Sequence, residues 1–257
     1  MANGMLAKVH KNGIVETMNS QLLKNLPDNP GVYFFKDSEG KILYIGRATS
    51  LRDRVKSYFA ADLIATRGQL LVDMVIHAAK IDVTETDSVL EAIILEANKI
   101  KENQPYYNTQ EKDDKSWNWV IITDEEFPRV FLERERTLLM GVDYDIKKKF
   151  GPYTEGALLR VALKLIRRIF PFRDAKANIS HNESFYRSIG LSPDTRSPEA
   201  KKEYQRTIRN LTLFFEGKKS ELMKTLEREM KEYAKKQEFE KADKIKQTIY
   251  ALMHIED

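Results

Sequence analysis

The side chains of this sequence that can carry chemistry are phenols, carboxylates, amides and cations. Cysteine is absent, and the histidines are scattered along the chain at His10, His77, His181 and His254. This composition rules out disulfides, thiolate nucleophiles and cysteine-ligated zinc or iron–sulfur clusters, and it argues against a histidine-rich metal site. Any catalysis must therefore use Tyr, Asp, Glu, Lys, Arg or Asn.

Two tyrosines are the first candidates, because a predicted hairpin brings them together. The β-rich runs 31–36 and 41–46 flank a turn-forming segment, a pattern typical of a β-hairpin. With a four-residue loop, we expect Tyr33 to pair with Tyr44 and the two phenols to converge near Gly46. Alternation then predicts a core face of Val32, Phe34, Leu43 and Ile45, with Phe35 and Ile42 beside the tyrosines.

Basic residues follow this hairpin directly. Arg47 lies in the next loop, and Arg54 lies in a helix predicted over 50–59 with Ser50 as its N-cap. Arg54 and Tyr58 share one side of that helix, because they are four residues apart. A purely structural interpretation is also available. Aromatic pairs commonly stabilise hairpins, and the helix is then an amphipathic surface helix. A one-residue slip in register would also separate the phenols.

One carboxylate stands out on the helix predicted over 87–102. The apolar stripe of this helix consists of Val89, Leu90, Ile93, Ile94, Ala97 and Ile100. Glu96 borders the stripe, whereas Glu91 lies clear of it. A carboxylate at the edge of a core can point into a cleft and hold a divalent ion, although most such residues are solvated or paired with lysine.

The remaining pattern predicts an α+β protein. The length of 257 residues allows one or two domains, and the net charge of +4 is compatible with nucleic acid as a partner. No apolar run approaches the ~18 residues that span a bilayer. Further elements are expected as helices at 20–24, 66–77 and 155–169, and as strands at 80–85, 118–123 and 129–134. Residues 174–198 predict an irregular linker, and 199–257 predict helices with an end at Gly217 and a break near 237–238.

Several short sequence segments, which we call blocks, occur in the order in which one protein family carries them. Pro30-Gly31-Val32-Tyr33 is followed, after ten residues, by Tyr44-Ile45-Gly46. The other blocks are 47–59, Leu95-Glu96, Pro105-Tyr106-Tyr107-Asn108, 113–116, Phe127-Pro128-Arg129, 150–153 and 169–173. Together they resemble the GIY-YIG nuclease signature and, over about 26–255, the UvrC family of excinucleases. The resemblance implies an N-terminal extension (1–25), a GIY-YIG domain with a small mixed or antiparallel sheet (26–115), an α/β extension (116–173), a linker (174–198) and a helical region (199–257).

The resemblance also implies roles for individual residues. Tyr44 matches the general base for the attacking water, and Tyr33 matches the tyrosine that positions this water or its partners. Arg54 matches the arginine that steadies the scissile phosphate. Glu96 matches the glutamate that binds a single divalent ion, and Mg²⁺ or Mn²⁺ suits a site with one carboxylate and several waters.

Tyr58 and Asn108 are implied as supporting residues of the same site. Arg47 stands where UvrC proteins commonly carry lysine, and a planar guanidinium is not equivalent to an ammonium group. A second departure lies between the nuclease and the helical region, where many members carry four cysteines. Residues 172–195 contain none, so we expect no iron–sulfur cluster.

The C-terminal helices resemble the UVR hairpin, whose core phrase here is Phe239-Glu240-Lys241-Ala242-Asp243. In the family this hairpin pairs with a matching hairpin of UvrB. The residues implied for this contact are Leu226, Met230, Phe239, Ala242 and Ile245. So small a hairpin buries little area by itself, which favours a partner or self-association. The alternative is an intramolecular bundle with 199–216, which composition alone favours, whereas the phrase that starts at Phe239 favours UvrB.

The resemblance therefore implies a cytoplasmic, metal-dependent DNA endonuclease of nucleotide excision repair. It would cut damaged duplex on the 3′ side of the lesion in complex with UvrB, without membrane association. Because the sequence stops soon after the hairpin, we expect the family's second, ribonuclease-H-like nuclease domain and its helix–hairpin–helix pair to be missing, and with them the 5′ cut. The alternatives are a standalone GIY-YIG nuclease for branched DNA and a non-catalytic UvrB-binding adaptor.

Overall fold

The computed structural model describes residues 26–60, 68–110, 117–174, 180–195 and 197–255, without the side chains of 110 and 180–183. The chain divides into two compact units, one with the described residues of 1–92 and 102–113, and one with those of 93–101 and 114–257. The predicted extension 1–25, its helix at 20–24 and the block 113–116 lie outside the described residues. The finer domain boundaries stay predictions.

The first unit is built on an antiparallel sheet in the order β2-β1-β3. Its strands are β1 (Gly31–Lys36), β2 (Ile42–Ala48) and β3 (Lys80–Glu85). The helices are α1 (Leu51–Lys56), continued by a 3-10 turn over Ser57–Phe59, α2 (Gln69–His77), part of α3 (Val89–Asn103) and α4 (Tyr106–Gln110). The sequence predicts all of these except α4, and the Ser50 side chain caps α1 as expected.

The pairing of β1 with β2 differs from the predicted pairing by two residues. Tyr33 lies opposite Gly46, and Tyr44 lies opposite Phe35, so the predicted direct pair of tyrosines is wrong. A shift of two residues keeps both tyrosines on the same face, because side chains alternate with a period of two. Leu43, predicted on the other face, is the extra residue of a β-bulge and packs with the tyrosines instead.

The turn accounts for one residue of this shift, and the bulge at Leu43 accounts for the other. The Asp37 carboxylate accepts hydrogen bonds from the amides of Glu39 and Lys41, at 3.0 and 2.9 Å. The Asp37 amide donates in turn to the Lys41 carbonyl. Lys41 therefore belongs to the turn rather than to the strand, and regular pairing starts one residue later than predicted.

The second unit contains another antiparallel sheet, in the order β5-β4-β6. Its strands are β4 (Asn118–Thr123), β5 (Val130–Arg134) and β6 (Ile146–Tyr153). Its helices are α5 (Glu135–Met140), α6 (Gly156–Ile169), α7 (Ser180–Ser188), α8 (Pro198–Phe215), α9 (Lys219–Lys235) and α10 (Phe239–Met253). The sequence does not predict β6, because the first half of this strand is exposed and the second half buried, without alternation. With both sheets and the helical C-terminal region, the predicted α+β class is confirmed.

The predicted irregular linker over 174–198 is wrong in part, because α7 lies within it. A buried arginine orders this segment. The guanidinium of Arg167 lies 4.2 Å from the ring centre of Tyr186 and forms a 2.9 Å ion pair with Asp174. Its Nε also donates to the Leu191 carbonyl at 2.8 Å. These contacts join positions far apart in sequence, so local periodicity does not reveal them.

The predicted helical hairpin at the end of the chain is confirmed as α9 and α10. The break falls at Gln237, whose φ is +60°, and α8 ends before Gly217, whose φ is +71°. The hairpin also packs inside the unit: the Arg206 guanidinium of α8 lies 5.2 Å from the ring centre of Tyr233 on α9. The alternative of packing against 199–216 therefore describes one side of the hairpin. Within the described ranges, no helix is long and apolar enough to cross a membrane.

Candidate active site

The side chains of Tyr33, Tyr44 and Tyr58 meet on one face of the first sheet, and we name them the phenol cluster. They come from β1, β2 and the 3-10 turn after α1. The ring centres are 6.3 Å apart for Tyr33 and Tyr44, 5.7 Å for Tyr33 and Tyr58, and 6.2 Å for Tyr44 and Tyr58. The predicted convergence of Tyr33 and Tyr44 therefore holds, although the two residues are not directly opposed.

Arg54 joins the phenol cluster through its guanidinium. The hydroxyls of Tyr33 and Tyr58 share a hydrogen bond of 2.8 Å, and both side chains are fully buried. The Nε of Arg54 donates to the Tyr33 hydroxyl at 3.3 Å, and the guanidinium lies 5.7 Å from the ring centre of Tyr58. The spacing of four residues between Arg54 and Tyr58 places both on one side of the helical segment, as predicted.

Burial sets the charge states in this site. Burial, reinforced by the neighbouring Tyr58 hydroxyl, raises the pKa of Tyr33 well above its usual value of 10.0, against the opposing effect of Arg54. Burial by itself lowers the pKa of Arg54, but the surrounding phenols outweigh this and raise that pKa above its usual value. At neutral pH, Tyr33 is therefore a neutral hydroxyl beside a permanent positive charge.

Gly46 lies directly beneath the Tyr33 ring. A Cβ atom at position 46 would overlap the Tyr33 hydroxyl and the ring carbons next to it. The backbone of β2 therefore approaches this phenol more closely than a residue with a side chain allows. Together with the pairing of Tyr33 opposite Gly46, this contact explains why a glycine follows Tyr44 by two residues.

Asn108 holds the strand that carries Tyr44. The Asn108 Oδ1 accepts a hydrogen bond from the Ile45 amide, and the Asn108 Nδ2 donates one to the Ile45 carbonyl, both 2.8 Å long. Ile45 stands between Tyr44 and Gly46, so these two bonds fix the backbone at the centre of the site. Asn108 thus contacts the main chain next to Tyr44, and its role in a nuclease site stays a prediction.

Tyr107 and Asp73 anchor Asn108, although the sequence pattern predicts no role for either. Tyr107 is buried on α4 and donates a hydrogen bond of 2.7 Å to Asp73 Oδ2 on α2. The Nδ1 of His77 lies 3.4 Å from the same hydroxyl. Because α4 has five residues and is too short to be stable alone, such side-chain contacts must hold it. Tyr107 lies within a recognised block, but no sequence signal leads to Asp73, which is distant along the chain.

Two predicted site residues, Arg47 and Glu96, do not belong to the phenol cluster. Arg47 lies opposite Val32, and strand alternation directs its Cβ to the face of β2 that is opposite Tyr44. Glu96 lies on α3, in the part of this helix that belongs to the second unit. Glu96 is only 7% exposed, so the border of the apolar stripe, where the sequence places it, is itself buried.

The predicted partner-binding residues divide into buried and accessible ones. Leu226 and Ala242 are buried within the second unit, and Met230 and Ile245 are half-buried. Phe239 is 66% exposed at the start of α10. A shallow pocket of the hairpin is lined by Met230, Lys231, Ala234, Phe239, Ala242, Asp243 and Lys246. The accessible part of the predicted surface is therefore the end of the hairpin next to its turn.

Comparison with known proteins matches two segments of this chain to family models. Residues 29–109 match the UvrC-like GIY-YIG domain, and residues 220–252 match the UvrB/UvrC motif. The chain is also 39% identical, over 242 residues and 91% of its length, to UvrABC system protein C of Chlorobaculum tepidum. The chain belongs to the UvrC family. It carries the UvrC-like GIY-YIG domain and the UVR motif in the predicted order.

The chain spans little more than a third of its UvrC relatives. It covers 37% of the Chlorobaculum tepidum protein and 35% of the Synechococcus elongatus protein, with which it shares 38% identity over 90% of its own length. Among solved structures, it matches the GIY-YIG N-terminal endonuclease domain of UvrC from Thermotoga maritima, bound to its catalytic magnesium. That match has 33% identity and a TM-score of 0.31, and it covers 36% of this chain and 97% of that domain.

Substitution of Gly46 tests the packing of the phenol cluster. Gly46→Ala should lower the free energy of unfolding by about 1–3 kcal/mol, the usual cost of overpacking a core, measured by urea unfolding. Tyr33→Phe removes the hydroxyl that the new Cβ would overlap. The loss of unfolding free energy caused by Gly46→Ala should therefore be smaller in the Tyr33→Phe background. If the effects of the two substitutions simply add, the contact with the Tyr33 hydroxyl is not the cause of that loss.

The raised pKa of Tyr33 predicts a loss of stability in alkali. Its contribution is fully present below the unfolded pKa near 10 and is lost as the pH rises above it, because the unfolded chain ionises first. Above pH 10, the unfolding free energy of the parent should fall as the pH rises. In Tyr33→Phe this fall should be smaller by up to about 1.4 kcal/mol per pH unit. The measurement is urea unfolding across this pH range, with exposed Tyr106→Phe as the control that keeps the parental profile. An unchanged slope in Tyr33→Phe would contradict the assignment.

Proposed function

We propose that this chain is a divalent-metal-dependent DNA endonuclease of nucleotide excision repair. It nicks damaged duplex on the 3′ side of the lesion in complex with UvrB. The observation that carries this proposal is the joining of Arg54 to the phenol cluster, at the positions expected of a UvrC nuclease site. Membership of the UvrC family supports the same conclusion.

The requirements of phosphodiester hydrolysis assign a role to each of these groups. The reaction needs a water that loses a proton, positive charge beside the phosphate oxygens and stabilisation of the leaving oxygen. Tyr44 accepts the proton from water, and the neighbouring charge of Arg54 favours the phenolate that a base requires. Arg54 also contacts the scissile phosphate. Arg47, on the opposite face of β2, receives no role in this step.

Tyr33 and Tyr58 position the reactants rather than exchange protons with them. Because Tyr33 stays neutral, it can donate a hydrogen bond or accept one, and its bonds to Tyr58 and Arg54 restrict its orientation. Asn108 contributes through the backbone of Ile45, next to the proposed base. Such preorganisation lowers the cost of reaching the reactive geometry.

Glu96 is the residue that we assign to the divalent ion. A buried carboxylate supplies the oxygen ligand that Mg²⁺ and Mn²⁺ prefer. The described residues contain no group of three or more acidic or histidine side chains suited to a metal, which fits an ion that keeps most of its waters. When bound, the ion would supply Lewis-acid stabilisation of the phosphate and the leaving oxygen.

The end of the UVR hairpin is the surface that we propose for UvrB. Phe239 is largely exposed and borders a shallow apolar pocket with Met230 and Ala242. Exposed aromatic residues beside such pockets are typical anchors of protein interfaces. Ile245 extends this surface, whereas Leu226 contributes by holding the hairpin together within the chain.

Removal of the Glu96 carboxylate tests the nuclease assignment. Glu96→Gln should reduce nicking of a lesion-bearing duplex, with UvrB and Mg²⁺ present, by at least about 100-fold, because a bound metal contributes several kcal/mol to such reactions. Glu102→Gln, at the exposed end of the same helix, is the control and should nick like the parent. A Glu96→Gln variant with parental activity would refute the metal assignment.

The same assay separates the rival functions. Parental cleavage that requires neither a lesion nor UvrB would identify a standalone nuclease. A parent chain that binds UvrB but never nicks would identify an adaptor.

Substitution of Phe239 tests the partner surface. Phe239→Ala should weaken binding to UvrB by at least about 10-fold, since loss of an interface aromatic commonly costs more than 1 kcal/mol. Phe185→Ala, which removes an exposed phenylalanine from α7, should bind UvrB like the parent. Binding is measured by titration calorimetry. Equal affinities of the Phe239→Ala variant and the parent would exclude this end of the hairpin.

A further inference from the structure

We propose that the outer face of α6, in the second unit, is a second DNA-contacting surface, which binds the phosphate backbone of duplex DNA. This surface, which we name the basic stripe, consists of Arg160, Lys164 and Arg168. The proposal rests on the proposed function in one respect, namely that duplex DNA is the substrate. It adds a binding surface to the chain, in a part outside both family-model matches.

The basic stripe follows from the pattern of α6. Arg160, Lys164 and Arg168 are exposed and four residues apart, so their charges lie along one side of the helix. With a rise of 1.5 Å per residue, they cover about 12 Å along the axis. The opposite side is buried through Leu159, Ala162, Leu163 and Ile166. Ala157 and Val161, which are exposed on the same side of α6, have short side chains and do not cover the charges.

No ion pair among the described residues neutralises this stripe. No acidic residue occurs within α6, and in the part of the chain that the structure describes the three stripe cations form no ion pair. Three surface lysines of the second unit have acidic partners: Lys148 pairs with Glu216 at 2.8 Å, Lys201 with Glu126 at 2.7 Å and Lys241 with Glu238 at 2.7 Å. The stripe cations therefore differ from these paired lysines.

Folding gives little reason for this arrangement. Like charges four residues apart destabilise a helix, so the stripe opposes helix formation. A cation in the last turn interacts favourably with the helix dipole, which accounts for Arg168 but not for Arg160 or Lys164. The fourth cation of α6, Arg167, is buried and paired with Asp174, and it serves the fold instead. A bound polyanion would relieve the repulsion along the stripe.

Duplex DNA is the polyanion that fits best. It presents a negative charge about every 3.4 Å along each strand, so a straight row of cations can follow one backbone. A membrane surface fits poorly, because an interfacial helix inserts its apolar face into the lipid, and the apolar face of α6 is already buried in the unit.

The test compares two triple variants with the same change in net charge. The stripe variant is R160Q/K164Q/R168Q, and the control variant is K148Q/K201Q/K241Q, whose lysines already have acidic partners. Affinity of the full chain for a fluorescent duplex is measured by anisotropy over a series of salt concentrations, and circular dichroism verifies the fold. Loss of the phosphate contacts of the stripe should reduce the slope of log affinity against log salt by about 2.7. The control variant should change the slope by less than half as much.

Three outcomes would overturn the inference: no detectable binding by the parent at low salt, an unchanged slope in the stripe variant, or equal reductions in both variants. Displacement of the duplex by poly-glutamate at equal charge concentration would also overturn it, in favour of an acidic protein partner. If the parent chain never nicks DNA but the stripe variant shows the reduced salt slope, only the proposed function is refuted. If the parent chain nicks DNA but the stripe variant keeps the parental slope, only this inference is refuted.

Discussion

The contact between the Tyr33 hydroxyl and the backbone at Gly46 is the constraint on which the candidate site depends. The phenol lies where a Cβ of residue 46 would be, so β1 and β2 can approach at this point only with glycine there. The ring then faces Arg54 from α1 and Tyr58 from the 3-10 turn that follows it, and Tyr44 lies opposite Phe35. A single close approach thus sets the relation between two strands and the helix that follows them.

Burial gives this group its chemical character. A tyrosine removed from water is harder to ionise, and a guanidinium surrounded by phenols is harder to deprotonate. The site therefore pairs a neutral hydroxyl with a fixed positive charge across a wide pH range. The bonds of Asn108 to Ile45, supported by Tyr107 and Asp73, keep the backbone beside these groups in place.

In the second unit the cations serve different purposes. Arg167 is buried between aromatic rings and orders the segment that contains α7. Arg206 ties the C-terminal hairpin to α8 through Tyr233. The outer cations of α6 take no part in such contacts within the described residues, and they are the ones that we propose for DNA. Burial and side-chain contacts, rather than residue type, therefore distinguish the arginines that stabilise the fold from those that we propose for DNA binding.

The sequence by itself determined the short elements and the residue types of the site. Period-two and period-3.6 patterns suffice for β1, β2 and the helices that contain Arg54 and Glu96, because each pattern reports a local preference and one buried face. Only the tertiary structure decided the register of the hairpin, the burial of Glu96, the anchoring of Asn108 by Asp73 and the order within 174–198. These depend on a turn hydrogen bond or on contacts between residues distant along the chain, and no local propensity contains that information.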